Sequence, residues 1–269
     1  MMEDAVLADK LDGLIAALAK ENPVLESKFS TYPHRDLEDK FQLYRAFCNE
    51  RQPRPISDQF IQEEAEVLEE VTKRKGKVSL EDIKKAGGQL DDQVYLWQGD
   101  ITRLALDGIV NAANSYLLGC TLANHNCIDN AIHTQAGVRL RLACYDLMLD
   151  QGRKEAAGKA KITPAFNLPS KAVLHTVGPY IDQRGVTPLK ERLLASSYRT
   201  CLEVAEANQL KELAFCSIST GEFNYPKDQA AQLASQVVKD YLAESASEIN
   251  IVFNVFQDED AKLYRDIWQ

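Results

Sequence analysis

The residues Gly119–Asp129 read GCTLANHNCID and place Cys120, His125 and Cys127 within eight positions. Two thiols and an imidazole in a Cys-x4-His-x-Cys arrangement are soft or borderline donors of the kind that suits Zn²⁺. Three protein ligands would leave one tetrahedral position open, as in catalytic rather than closed structural zinc sites. Asp129 follows two residues after Cys127, at the start of a helical stretch. Its carboxylate would lie near any ion held there and could take a proton from water or orient a substrate. Other readings fit the same residues. The cysteines could be small packing residues with His125 in a simple hydrogen bond, a distant fourth ligand could close a structural site, and Asp129 could cap the helix. The His-x-Glu and Pro-Cys-x-x-Cys signature of zinc nucleobase deaminases is absent.

The remaining composition narrows the setting. The chain has 269 residues, 45% of them hydrophobic and 26% charged, with a net charge of −9. That balance suits a globular enzyme-sized protein, and the acidic excess argues against nucleic acid as the main partner. Six cysteines (Cys48, Cys120, Cys127, Cys144, Cys201 and Cys216) are too sparse for a disulfide-stapled fold. No charged-then-apolar leader opens the sequence, and no run approaches about eighteen apolar residues. A reduced, cytoplasmic location away from membranes is therefore expected.

The elements that must position these residues are legible in outline. Leu7, Leu11, Leu14, Ile15 and Leu18 recur at helical spacing, followed by Pro23. Leu37, Phe41, Tyr44 and Cys48 form a second stripe, ended by Pro53 and Pro55. Ser57 can cap a third helix carrying Phe60, Glu64, Val67, Leu68 and Val71, and Ser79 with Asp82 resembles a capping box for a fourth. Beyond Gly88 strand-like runs appear at 93–98, 108–113, 172–177, 213–218 and 249–256, separated by helix-sized stretches at about 129–149, 188–207 and 227–243. Short apolar strands alternating with helices predict a three-layer α/β/α domain with a mixed central sheet. The division is set at a helical N-terminal segment, 1–90, and an α/β domain, 91–269. In such folds ligands bind on loops leaving the carboxyl ends of strands, and the Cys-His-Cys stretch lies on one of these loops.

Five blocks in order, QGDITRL (98–104), DGIVNAANSYLLGC (107–120), IDNAIHTQAG (128–137), HTVGP (175–179) and SISTGEFNYP (217–226), resemble the macrodomain family, whose members bind ADP-ribose. The resemblance spans about 93–265 and does not cover the first 90 residues. It departs from the usual pattern where hydrolytic macrodomains carry a glycine run, for here Cys120–Cys127 stands in that place. The departure is similar to the zinc-dependent macrodomain branch, protein-ADP-ribose hydrolases with a helical N-terminal extension.

The resemblance implies roles residue by residue. Asp100, with the Ile101 backbone beside it, would accept from the adenine amino group, since a carboxylate only accepts. Asn114 would contact the distal ribose, whereas Asn111 would hold its loop. Ser219, Thr220 and Gly221 would cradle the diphosphate through backbone N–H groups, and Phe223 would pack on the distal ribose. For Phe256, core packing is preferred over stacking on adenine, and His133 and His175 are expected to pack structurally. Asp129 and Asn114 would carry catalysis, with Cys120, His125 and Cys127 holding Zn²⁺ that either activates water or orients substrate oxygens. The implied reaction is hydrolysis of an ADP-ribosyl group, carboxylate-linked to a protein side chain, releasing ADP-ribose. The same branch implies a lipoyl-carrier-like protein as substrate. A non-catalytic ADP-ribose reader and an O-acetyl-ADP-ribose esterase are the competing expectations.

Overall fold

Leu7, Leu11, Leu14 and Leu18 are all buried along one face of the first helix, α1 (Asp4–Glu21). In the computed structural model, which describes residues 1–245 and 247–269, that face packs on α3 (Leu37–Glu50) and α4 (Asp58–Lys75). Between them lies α2 (Pro23–Phe29), so Pro23 opens a helix as well as ending one. The Asn22 side chain accepts from the Val24 and Leu25 N–H groups, and proline at the first helical position gives up only an N–H that would have no partner. Ser57 caps α4, and the Ser79–Asp82 capping box forms at α5 (Leu80–Lys85), as the sequence predicts.

A seven-stranded sheet follows: β1 (Gln89–Asp91), β2 (Val94–Gln98), β3 (Gly108–Ala112), β4 (Ala160–Pro164), β5 (Ala172–Thr176), β6 (Glu212–Phe215) and β7 (Asn250–Val255), in the spatial order β1-β2-β7-β6-β3-β5-β4. β2, β7, β6, β3 and β5 run parallel, and β1 and β4 pair antiparallel at the two edges. β3 and β5 are buried almost end to end, which is why they read as continuous apolar runs rather than alternating ones. One set of helices comprises α8 (Pro188–Ala207), α9 (Lys227–Ser245) and α10 (Asp258–Ile267), packed side by side. The other comprises α6 (Ile128–Ala136) on β3, α7 (Val138–Gln151) on β4, and α5 on β2. The mixed three-layer α/β/α architecture is the predicted one.

Two details differ from expectation. The single helix expected over 129–149 is two, broken at Gly137, whose φ of 84° lies in the left-handed region. A Cβ at Gly137 would also collide with the Glu64 carboxylate. That carboxylate, carried by α4, accepts from the Val138 N–H at 3.1 and 3.2 Å and from the Tyr44 hydroxyl at 2.6 Å. A residue of the N-terminal segment therefore caps a helix of the α/β domain. Burial pushes the Glu64 carboxyl up to about 7, although Tyr44, Val138, Arg139 and Arg51 all favour its charged form. Second, the segments β1, β4 and α10 lie outside the sequence expectation. β1 is three residues long, β4 ends in a proline tolerated on an edge strand, and α10 is so charged that only Ala261 and Tyr264 are buried.

Because five strands run parallel, Gln98, Ala112, Thr176, Phe215 and Val255 all end on the same rim of the sheet. Every loop singled out from the sequence departs from that rim.

Candidate functional site

Asp129 sits in the first turn of α6, almost wholly buried, while the N-cap position belongs to Cys127. Its side chain is thus free of the capping duty the sequence left open. Asn111, on β3, donates from Nδ2 to Asp129 Oδ1 at 2.8 Å, and Asn114 Nδ2 reaches Oδ2 at 3.4 Å. Burial pushes the Asp129 carboxyl up to about 6, against the opposing pull of Asn111, Arg141 and Asn114. Asn111 thus does more than hold its loop: from inside the sheet it fixes the carboxylate. Asn114 in turn donates to the Gly119 carbonyl at 3.1 Å and accepts from the Tyr116 N–H at 2.9 Å, which closes the turn leading into the cysteine loop.

Cys120, His125 and Cys127 come together in the loop just ahead of α6, and the charge of Asp129 is felt by the Cys127 thiol. Their donor atoms lie within 4.8 Å of one another, and Cys120 Sγ stands 3.5 Å from His125 Nδ1. The donor set passes the test for a soft divalent cation: two sulfurs and one imidazole, half-buried and convergent. Burial pushes the Cys127 thiol up to about 12, and the neighbouring Cys120 and Asp129 add to that; a cation would reverse it by favouring thiolates. The opposite nitrogen, His125 Nε2, faces Glu222 Oε1 at 3.7 Å. Glu222 was not singled out in the sequence because it sits inside the Ser-Thr-Gly-Glu-Phe loop, 97 positions from His125 by residue number. Only the fold brings the two loops together.

A second trio, His133, Cys144 and His175, also has converging donor atoms, but all three residues are buried. His175 Nε2 already meets Thr163 Oγ1 at 3.0 Å, and burial lowers its pKa to about 4. His133 packs against Gly119, with Nε2 3.5 Å from Asp129 Oδ1. Burial, then His175 and Arg141, keep its ring neutral. Both histidines are buried, and among the described residues neither ring nitrogen of His133 has a hydrogen-bond partner.

The loop between β6 and α9 carries Ser219, Thr220, Gly221 and Phe223. Ser219 adopts φ 67° and its N-terminal neighbour strand ends at Phe215. Loop geometry is held by Tyr225 N–H donating to the Ser219 carbonyl at 3.0 Å and Asn224 N–H to Gly221 at 2.9 Å. Among the described residues the Thr220 and Gly221 N–H groups have no acceptor, so both are available to an anion. Gly178, from the loop after β5, backs this turn so closely that a Cβ would overlap Ser219 Oγ. The same two loops are joined by Ile181 N–H donating to the Phe223 carbonyl at 2.8 Å and by the edge-to-face pair Tyr180–Phe223.

At the far side, Asp100 caps the 3-10 turn Ile101–Arg103. Its Oδ1 accepts from the Thr102 N–H and hydroxyl, and its Oδ2 meets Lys75 Nζ at 3.0 Å. Burial alone would raise this carboxyl, but Thr102 and Lys75 outweigh it and hold it below its ordinary value. Ile101 itself is buried. The core-packing expectation for Phe256 is overturned. It follows β7 directly and is 75% exposed, since the strand ends before its ring can enter the sheet interior.

The carboxyl rim of the parallel strands carries loop N–H groups unpaired among the described residues, the Asp100 and Asp129 carboxylates and a Cys-His-Cys trio, which makes this an α/β protein with its chemically able side chains on the rim where such folds take ligands. The Macro domain family matches residues 110–234. A protein-ADP-ribose hydrolase of Staphylococcus aureus (strain MRSA252) is 47% identical over 229 residues, 85% of each chain. One from Treponema medium is 45% identical over 254 residues, covering 94% of this chain and 96% of that one. The crystal structure of the Trypanosoma brucei macrodomain in complex with ADP-ribose superposes with a TM-score of 0.61 at 26% identity, over 82% of this chain and 94% of the other. The chain belongs to the macro domain family. Among the described residues no helix is long and apolar enough to cross a membrane.

Proposed function

We propose that this chain is a hydrolase that removes ADP-ribose from modified protein side chains, with zinc at Cys120, His125 and Cys127, as in the zinc-dependent branch of its family. The carrying observation is the buried Asp129 carboxylate, held by Asn111 and Asn114 two residues after Cys127, one of the three converging donors and a thiol that feels its charge. The hydrolase names of relatives at 45–47% identity support the reaction class.

In this reading Asp100 and Ile101 take the adenine end, the N–H groups of Ser219, Thr220 and Gly221 take the diphosphate, and Phe223 lies against the distal ribose. Binding at these remote points positions the anomeric carbon near Asp129. Asn114 donates to a ribose hydroxyl, and Asp129 accepts the proton of the attacking water as the bond to the side-chain carboxylate breaks. The carboxylate leaves as such, so no acid is needed for its departure. A Zn²⁺ ion held by Cys120, His125 and Cys127 would supply Lewis acidity when bound. Residues 1–90 and the α/β domain 91–269 work as one unit, and the reading does not depend on which protein carries the modification.

The test is release of labelled ADP-ribose from a carboxylate-linked ADP-ribosylated protein by wild type, Asp129→Ala and Cys127→Ala. Wild type should release label and both variants should lose most of that activity. Tight ADP-ribose binding with no release by wild type would make the chain a reader instead, and turnover confined to O-acetyl-ADP-ribose would make it an esterase.

A further inference from the structure

The loop from Cys120 to Cys127 contains no helix or strand, and its two internal backbone hydrogen bonds, His125 to Leu122 at 3.2 Å and Cys127 to His125 at 3.0 Å, are local. Nothing within the loop fixes it against the sheet. Four side-chain attachments do so instead. Arg45 Nη2 donates to the His125 carbonyl at 2.8 Å. Asn49 Oδ1 accepts from the Asn124 N–H at 2.9 Å. Asn130 Nδ2 donates to the Leu122 carbonyl at 3.0 Å, and Arg141 Nη2 to the Cys120 carbonyl at 3.3 Å.

Two of these four attachments come from α3, in the N-terminal segment, and the other two depend on it. Asn130 is gripped from both ends, by Arg45 Nε on its Oδ1 at 2.8 Å and by Asn49 Oδ1 on its Nδ2 at 2.9 Å. Arg141 is aimed by the carbonyls of Asn49 and Arg51, at 2.5 and 2.8 Å from Nη1. Asn49 is 1% exposed and also donates from Nδ2 to Thr134 Oγ1 at 3.3 Å. A buried amide that satisfies a loop N–H, a helix side chain and a hydroxyl at once is costly to replace, because each partner would be left without its bond.

We infer that Asn49 and Arg45 are positioning residues of the candidate metal centre: α3 is the scaffold that holds Cys120, His125 and Cys127 in ligating shape. The inference rests on the proposed metal reading and extends it to a segment that the macrodomain blocks do not include. Groups outside the ligand set that orient ligands commonly govern metal affinity about 10- to 100-fold. Here they act on the backbone of the ligand loop, on either side of the histidine, and so control whether three donors stay convergent without a cation between them.

The experiment uses the full chain loaded with Co²⁺, whose thiolate charge-transfer absorption reports sulfur ligation, and Zn²⁺ affinity measured by competition with a chromophoric chelator. Asn49→Ala and Arg45→Ala should each bind Zn²⁺ about 10- to 100-fold more weakly than wild type, with an altered Co²⁺ spectrum. ADP-ribose affinity of the metal-free proteins should stay within about threefold, since neither side chain hydrogen-bonds to residues 99–102 or 217–223. Arg45→Lys keeps the charge but not the two-pronged grip on Asn130 and His125, so it should recover only part of the loss. Metal-free thermal unfolding serves as the control for folding; Arg45 is half-buried, so its variants remain informative if Asn49→Ala does not fold. Wild-type Zn²⁺ affinity in folded Arg45→Ala overturns the inference while leaving the metal reading intact. Failure of wild type to bind either ion overturns both.

Discussion

Asn111 and Asp129 meet at 2.8 Å across the step from β3 to α6, both buried, and the amide is the closest donor the carboxylate has. A carboxylate deprived of water needs such a donor to remain ionised. Asn111→Ala should therefore lower the single-turnover rate of ADP-ribose release about 10- to 100-fold, the worth of a hydrogen bond to a buried charge. Asp129→Ala should lose about 10²- to 10⁴-fold, the usual range for a proton-transfer group. Equal rates for Asn111→Ala and wild type would remove Asn111 from the account.

Chelation should abolish release and Zn²⁺ should restore it, while the thermal transition moves only modestly. Collapse of the fold on chelation would point to a structural metal, because such sites contribute folding free energy directly. The donors are half-buried on a rim loop, outside both apolar clusters except for packing by Ala123, which favours the first outcome.

Glu64 predicts a pH dependence of stability. Its carboxyl titrates near its ordinary 4.5 in the unfolded chain and at about 7 when folded, mainly through burial. The folded state therefore holds this proton more tightly, and the associated stability is complete below about pH 4.5 and lost as pH rises towards 7. The shift corresponds to about 3 kcal/mol. Glu64→Gln keeps a neutral acceptor for Val138 and should lack this decline. Urea midpoints of the two proteins should thus diverge in favour of Glu64→Gln between about pH 4.5 and 7, then run parallel. Curves parallel throughout would show that the cap of α7 stays charged.

Asp100 should discriminate the exocyclic amine of adenine. Asp100→Ala should weaken ADP-ribose binding about tenfold, near 1.5 kcal/mol for a charge-assisted bond, and bring its affinity level with that for the inosine analogue. Isothermal titration with the two nucleotides checks this; undiminished preference for the adenine form in the variant would exclude the role.

How far the sequence reveals this molecule depends on the range of the interactions involved. Leucine periodicity and caps expose α1, α3, α4 and α5, and apolar runs expose the buried strands, since those signals are local. Gly137 as a helix break was not legible, because the reason for it is partly Glu64, 73 positions earlier by residue number. Cys120, His125, Cys127 and Asp129 were legible as a group because they fall within ten consecutive residues spanning a loop and the first turn of α6. Asn49, Arg45 and Glu222 were not, since an asparagine in a helix or a glutamate in a turn has no mark of its own until the fold sets it against the loop. The short edge strands β1 and β4 carry too few residues to show a period.

The near-contact of Gly178 with Ser219 has an engineering consequence. The turn proposed to receive the anion and the turn after β5 form a matched set, cut to fit as a key is to its lock's ward. Grafting residues 217–223 onto another scaffold would therefore require its counterpart at 178 to travel with it, or the transplanted turn would be forced off its seat.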